Sequence, residues 1–190
     1  MPRPRTFDEA SVLDAAMRAF WETGFAGTST EALCAATGLR RSSIYNTFTD
    51  KHRLFLAALE RYCEEAFRRA SEVLERDAPV RDRVRELLGQ GVQPPPDEPA
   101  GCLVVNTVVE LGESDPEVAR LLRRDGERRL ALLRDAFAAA QSAGEIDPGR
   151  DPEALARFVI ATVSGMRVAA RAGAGPDELA AIADTAVTAL

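Results

Sequence analysis

The stretch TSTEALCAATGLRRSSIYNTFTDKHRL, residues 28–54, governs the reading of the whole chain. It predicts two short helices around a tight turn at Thr37-Gly38-Leu39, followed directly by the start of a long helix. The second short helix carries Arg41, Ser42, Ser43, Tyr45 and Asn46, with Ile44 and Phe48 as its only large apolar anchors. A helix of small polar and basic side chains braced on two apolar ones is suited to lying against a polar, negatively charged surface. That is how a helix-turn-helix presents its recognition helix to the DNA major groove.

On either side, the sequence reads as helices. Thr6-Phe7-Asp8-Glu9 has the form of a capping box and opens a first helix with Leu13, Ala16, Met17, Phe20 and Trp21 at helical spacing, ending at Gly24. Thr28-Ser29-Thr30-Glu31 predicts a second box, with Leu33, Cys34 and Ala36 facing inward. Asp50 is placed to cap a helix over residues 51–75, with Leu54, Ala58, Tyr62 and Phe67 as its buried stripe. A helix is expected over residues 77–88 with Pro79 in its first turn, then an irregular linker, QGVQPPPDEP, over residues 90–99. The apolar run CLVVNTVVEL (102–111) reads as a buried helix, since nothing else in the chain would pair with a strand. Asp115-Pro116, Asp151-Pro152 and Pro176 open helices over 116–143, 152–172 and 176 to the C-terminus. The fold expected is all-α: a three-helix helix-turn-helix domain over residues 1–50, then a helical ligand-binding and dimerisation domain over 51–190.

Composition limits the function. At 46% hydrophobic and 28% charged over 190 residues, the chain is an ordinary globular one. No apolar run approaches the ~20 residues that span a bilayer, and the N-terminus lacks a signal-peptide core, so the expectation is a cytoplasmic protein without a membrane partner. Cys34, Cys63 and Cys102 are odd in number and widely spaced, which suggests neither a disulfide framework nor, with a single histidine, a metal site. Nothing calls for a cofactor. The absence of a glycine-rich phosphate loop or a clustered acid/base set argues against an enzyme. The net charge of −6 is unevenly spread. Residues 1–54 hold seven Lys/Arg and six Asp/Glu, and the rest hold 17 and 24, so a weakly basic head sits on an acidic body. Lys51 is the only lysine among the 24 basic residues. At a helix N-terminus a lysine opposes the macrodipole unless a phosphate lies nearby.

Several features in order resemble the TetR/AcrR family of bacterial transcriptional regulators: Gly24-Phe25, Thr28-Ser29-Thr30, Gly38-Leu39, the run Ser43-Ile44-Tyr45-Asn46-Thr47-Phe48, then Asp50-Lys51 and Leu54. The likeness is strong over residues 7–60. Further on, Gly101-Cys102-Leu103-Val104-Val105-Asn106 looks like one regulatory-domain subgroup. The resemblance implies a homodimer on double-stranded, pseudo-palindromic operator DNA, its recognition helices about 34–36 Å apart, with repression as the usual mode and release by a small-molecule effector. By motif position, Arg40, Arg41, Ser42, Ser43, Tyr45, Asn46 and Thr47 would face DNA, and Thr30 and Lys51 would hold phosphates. Ser42 stands where glycine is frequent and Thr47 where an aromatic or histidine is frequent, so base readout does not transfer from a relative.

Other readings stay open beside these. Lys51, Arg40 and Arg41 also fit a solvated surface, Tyr45 a core aromatic, and Arg3 and Arg5 either a tail or an arm into the minor groove. His52 reads as a cap-region surface residue, and Cys34 and Cys63 as packing residues. The resemblance places the dimer interface on the helices over 116–143 and 152–172, where Ala156, Val159, Ile160, Val163, Ser164 and Val168 allow close contact. Cys102, at a helix N-terminus, fits either a reactive thiol that senses electrophiles or oxidants, as in family members with a cysteine here, or a small hydrophobe. Asn106 fits an effector contact or a satisfied backbone group. Phe67, Phe137, Phe158 and Met166 fit a pocket lining or plain core. A small-molecule carrier on the same scaffold is the remaining alternative class.

Overall fold

The computed structural model describes residues 8–92 and 98–190, and among these it contains nine helices and no strand. The head is α1 (Glu9–Gly27), α2 (Thr30–Thr37) and α3 (Arg41–Phe48), and α4 (Lys51–Leu74) leads out of it. The body adds α5 (Val80–Val92), α6 (Leu103–Leu111), α7 (Pro116–Ser142), α8 (Pro152–Arg171) and α9 (Pro176–Thr188). No helix among the described residues is long and apolar enough to cross a membrane.

Several helix starts differ from the sequence reading for local reasons. Asp8 caps α1, its carboxylate accepting from the Ala10 and Ser11 amides; Thr6, Arg3 and Arg5 lie outside the described residues. The second cap is shifted by one residue. Ser29 Oγ accepts from Ala32 N at 3.0 Å, while Thr28 is 1% exposed and turns inward to Gly24 O at 2.6 Å and Thr23 Oγ1 at 2.7 Å. Thr28 therefore serves the end of α1 rather than the start of α2. That rotation leaves Leu33 buried, Cys34 half-buried and Ala36 exposed, so Ala36 does not face inward. The long helix starts as expected, with Asp50 Oδ1 accepting from Arg53 N at 2.7 Å. Asp77 stays outside α5. Pro79 precedes that helix and its carbonyl takes the first helical bonds, while Glu145 from the far side of the body caps Val80 N at 2.6 Å. The helix then runs on through Gln90 to Val92, and residues 93–97 of the expected linker lie outside the described residues.

Two apolar cores form. One joins α1, α2, α3 and the first half of α4 through Ala16, Phe20, Leu33, Ile44, Leu54 and Phe55, and takes in Leu103 and Val104 of α6. The other packs α5, α7, α8 and α9 through Val84, Leu88, Phe137, Val159, Met166 and Leu179. The run 102–111 is a helix, but it is buried on one face only: Leu103, Val104 and Thr107 are inside, whereas Val108 and Val109 are exposed. Helices α4 and α7 are also linked by a hydrogen bond between His52 and Asp115 and by ion pairs of Arg53 with Glu117, Arg124 with Glu60 and Arg128 with Glu64. His52 is thus a bridge between helices rather than a loose surface residue, with Nε2 2.6 Å from Asp115 Oδ2. Burial of Asp115 works against its charge. The Val118 amide and His52 outweigh burial and hold its carboxyl below the usual range.

Candidate nucleic-acid interface and cavity

Gly38, at φ 67°, ends α2 in the left-handed region and turns the chain sharply into α3. Helix α3 then hangs on Ile44 and Phe48, both buried, and keeps Arg41, Ser42 and Asn46 exposed. It is only eight residues long, so its stability comes from packing rather than propensity. Thr49 closes it at φ 71° and ψ −54°, with Thr49 N bonded to Tyr45 O at 2.9 Å and Asp50 N to Phe48 O at 2.8 Å. This is a strained γ-turn, and it aims α4 away from α3 within two residues.

Of the residues singled out from sequence, Thr30, Arg41 and Tyr45 are brought into contact. Thr30 Oγ1 lies 2.9 Å from Tyr45 Oη, tying the first turn of α2 to the middle of α3. The Arg41 guanidinium lies 5.5 Å from the Tyr45 ring centroid. Tyr45 is half-buried and belongs neither to the core nor wholly to the surface. The Thr47 hydroxyl donates to Ser43 O at 3.0 Å, which leaves its oxygen free to accept and its methyl free for contact. Lys51 Nζ sits 4.5 Å from the Phe25 ring centroid, so a cation–π contact steadies it at the start of α4. Arg40 and Lys51 form no ion pair among the described residues, whereas the charge of Arg41 acts on Glu31 in the first turn of α2.

Behind this surface, α1 breaks. Gly24 has φ 76° and ψ 177°, a conformation open essentially only to glycine. The break frees the amides of Phe25 and Ala26, which donate to Glu110 of α6 at 2.9 and 2.6 Å. It also frees the carbonyls of Trp21 and Glu22, which accept from Arg171 of α8 at 3.4 and 3.0 Å. Asn106 Nδ2 donates to Trp21 O at 3.4 Å. Asn106 therefore satisfies backbone, and it does not line the cavity described next. Glu110 and Arg171 were not found from sequence. A charged residue at the end of an apolar helix carries no signal until the broken helix it clamps is known.

A cavity of about 1050 Å³ lies among α1, α4, α5, α6, α7 and α8. Phe67 and Cys102 line it. Phe158 and Met166 do not: Phe158 is 41% exposed on the outer face of α8, and Met166 is buried in the body core, as is Phe137. Helix phase explains both misses, because the inward face of α8 toward the cavity is Ile160, Val163, Ser164 and Arg167. Cys102 is half-buried and is the N-cap residue of α6, and the Tyr62 hydroxyl donates to its Sγ at 3.4 Å. Burial, then Cys102 itself, pushes the Tyr62 phenol well above its ordinary value, so it stays a neutral donor. Cys63 is buried against α7 and its thiol is likewise pushed up, mainly by burial.

A helix-turn-helix head joined by a long helix to a helical body is the architecture of a DNA-binding transcriptional regulator. The chain matches the family model for bacterial regulatory proteins, tetR family, over residues 12–58, and the tetracyclin repressor-like C-terminal domain over residues 90–186. It is 31% identical to the HTH-type transcriptional repressor ComR of Escherichia coli (strain K12), over 96% of this chain and 89% of that protein. It is 32% identical to the HTH-type transcriptional regulator YezE of Bacillus subtilis (strain 168), over 100% of both. Among solved structures it is similar to a cysteine mutant of the TetR family transcriptional regulator CifR in complex with 26-base-pair operator DNA. The TM-score is 0.87 and the identity 31%, over 98% of each chain. The chain belongs to the TetR family of bacterial transcriptional regulators.

Proposed function

We propose that this protein is a ligand-responsive repressor that binds a pseudo-palindromic operator as a homodimer and leaves it when a small molecule fills the cavity. One observation carries the reading. Helix α6 lines the cavity with Cys102, Val104 and Val105 and, through Glu110, holds the broken end of α1 in the head. A ligand that shifts α6 would therefore bias the position of the head, which is the differential contact a switch requires. The DNA-facing set is Arg40, Arg41, Ser42, Ser43, Tyr45, Asn46 and Thr47, with Thr30 and Lys51 on phosphates.

The test is titration onto the DNA of its own promoter region at several salt concentrations. The expected result is tight binding with a steep negative salt slope. Lys51→Ala should reduce the magnitude of that slope by about 0.9, one phosphate contact. A slope unchanged in Lys51→Ala removes the lysine from the interface, and no preference for the promoter over scrambled DNA sinks the reading, leaving a carrier.

A second reading is favoured by the placement of Cys102 on the cavity wall, half-exposed and hydrogen-bonded to Tyr62. In it, modification of the Cys102 thiol by an electrophile is the releasing event. Cys102→Ser should then bind the operator normally and stay bound after electrophile treatment that releases the wild type. Release of both proteins would leave reversible ligand binding as the trigger.

A further inference from the structure

The cavity has two unlike ends. Much of its wall is apolar, from Phe67, Leu74, Leu132, Ile160 and Val163. Next to α1 it is rich in donors. Trp21 lines it there, is 2% exposed, and its indole Nε1–H is buried without a hydrogen-bond partner. A buried donor left unpaired is costly, and an acceptor on a bound molecule would relieve that cost. The Trp21 ring packs edge-on against Tyr62 with centroids 4.9 Å apart, and Arg167 stands close enough to Tyr62 for its charge to act on the phenol.

The charged groups of this wall include Arg18 on α1, and Glu98 as well as Arg167 acts on Tyr62. Asp14 is held by Arg61, Glu65 by Arg68 and Arg69, Glu98 by Arg69, and Glu64 by Arg128. Arg129 is held by Asp125. Arg167 has no acidic or hydrogen-bond partner among the described residues, although it is half-buried in the wall. A cation and an orphaned N–H at one end of an otherwise apolar cavity recognise a particular kind of molecule.

We propose that the cavity takes an anionic amphiphile of the carboxylate class, its head group on Arg167 and the Trp21 indole N–H and its apolar body along Phe67, Leu132 and Val163. Charge-assisted hydrogen bonds to the head group are the strong ones, and the apolar body supplies the rest of the affinity. This inference deepens the effector reading above and rests on it for the consequence of binding, not for the binding itself.

Trp21 is the chain's single tryptophan, so its emission reports on the site in the full-length protein. Decanoate, decan-1-ol and decylamine share one chain and differ in the head group. Decanoate should change Trp21 emission saturably and bind at least about tenfold more tightly than the alcohol, with the amine weakest. Arg167→Gln should bring decanoate to the level of the alcohol, and Arg167→Lys should keep the preference; melting curves check that both variants fold. Equal binding of acid and alcohol, a preference that survives Arg167→Gln, or no emission response to any of the three overturns the proposal. Operator release is followed in parallel. Arg167-dependent decanoate binding without release sinks the effector reading and leaves the site standing.

Discussion

Glu65 is a residue whose charge is firmly held by its neighbours. Arg68 Nη2 lies 2.7 Å and Arg69 Nε 2.9 Å from its Oε1. Hydrogen bonds from Arg68 and then Arg69 bring its pKa from 4.5 to about 2. A folded-state value below the unfolded one means that the stabilisation is fully present above pH 4.5 and is lost as pH falls through about 2. The side chain is 40% exposed, so solvent screens the pairs and the contribution stays at about 1 kcal/mol or less. Glu65→Gln should lower the melting temperature slightly at neutral pH and flatten the acid loss of stability between pH 4.5 and 2. Thermal melts across that range check it, and an acid limb identical to that of the wild type would contradict it. At this scale the sequence displays residue types but not their partners. Tyr45 and Thr30 were named for separate reasons, and only the fold brings their hydroxyls to 2.9 Å.

Among the elements, α1 bears most on switching, because it is one helix in sequence pattern and two in structure. Its amphipathic spacing ends at Gly24, as the sequence suggests, yet the chain resumes helical turns to Gly27. Glu110 and Arg171 satisfy the exposed backbone groups on the two sides of the break. A Cβ at Gly24 would meet Glu110 Oε2 at 2.7 Å and would have to adopt φ 76°. Gly24→Ala should therefore destabilise the fold by about 1–3 kcal/mol. Glu110→Ala should cost about 1–3 kcal/mol by leaving two amides without their acceptor and should weaken operator affinity by loosening the head. Denaturant unfolding together with operator titration measures both effects. Normal stability and affinity in Glu110→Ala would show that the clamp does not position the head. The periodicity of α8 was readable but its phase was not. Ala156 and Val159 point into the molecule's own core, where a partner interface had been expected.

For the whole molecule, the outer face of α8 and α9 exposes Phe158 at 41%, Val168 at 54% and Ile182 at 40%. The outward side of α7 carries Arg123, Arg124, Glu127, Arg134 and Asp135 instead. Exposed apolar side chains on adjoining helices are what an association surface requires, so the homodimer proposed above is best formed through α8 and α9 rather than α7 and α8. Phe158→Asp should shift the protein from dimer to monomer in light scattering without lowering its melting temperature below that of an isolated protomer. Operator affinity should fall steeply, since each head would then bind its half-site alone. A Phe158→Asp protein that stays dimeric would put the interface elsewhere.

The order of the helices, the helix-turn-helix and its polar third helix follow from sequence alone, because caps, prolines and 3.6-residue periodicity are local signals. Local signals do not settle how a helix is rotated about its axis or which distant group meets a freed backbone atom. The break at Gly24 clamped by Glu110 and Arg171, the bridge from His52 to Asp115, and the cavity wall that includes Arg167 but not Phe158 or Met166 were decided by tertiary packing. Each depends on side chains far apart in the chain meeting at one place, and no spacing along the chain encodes that meeting.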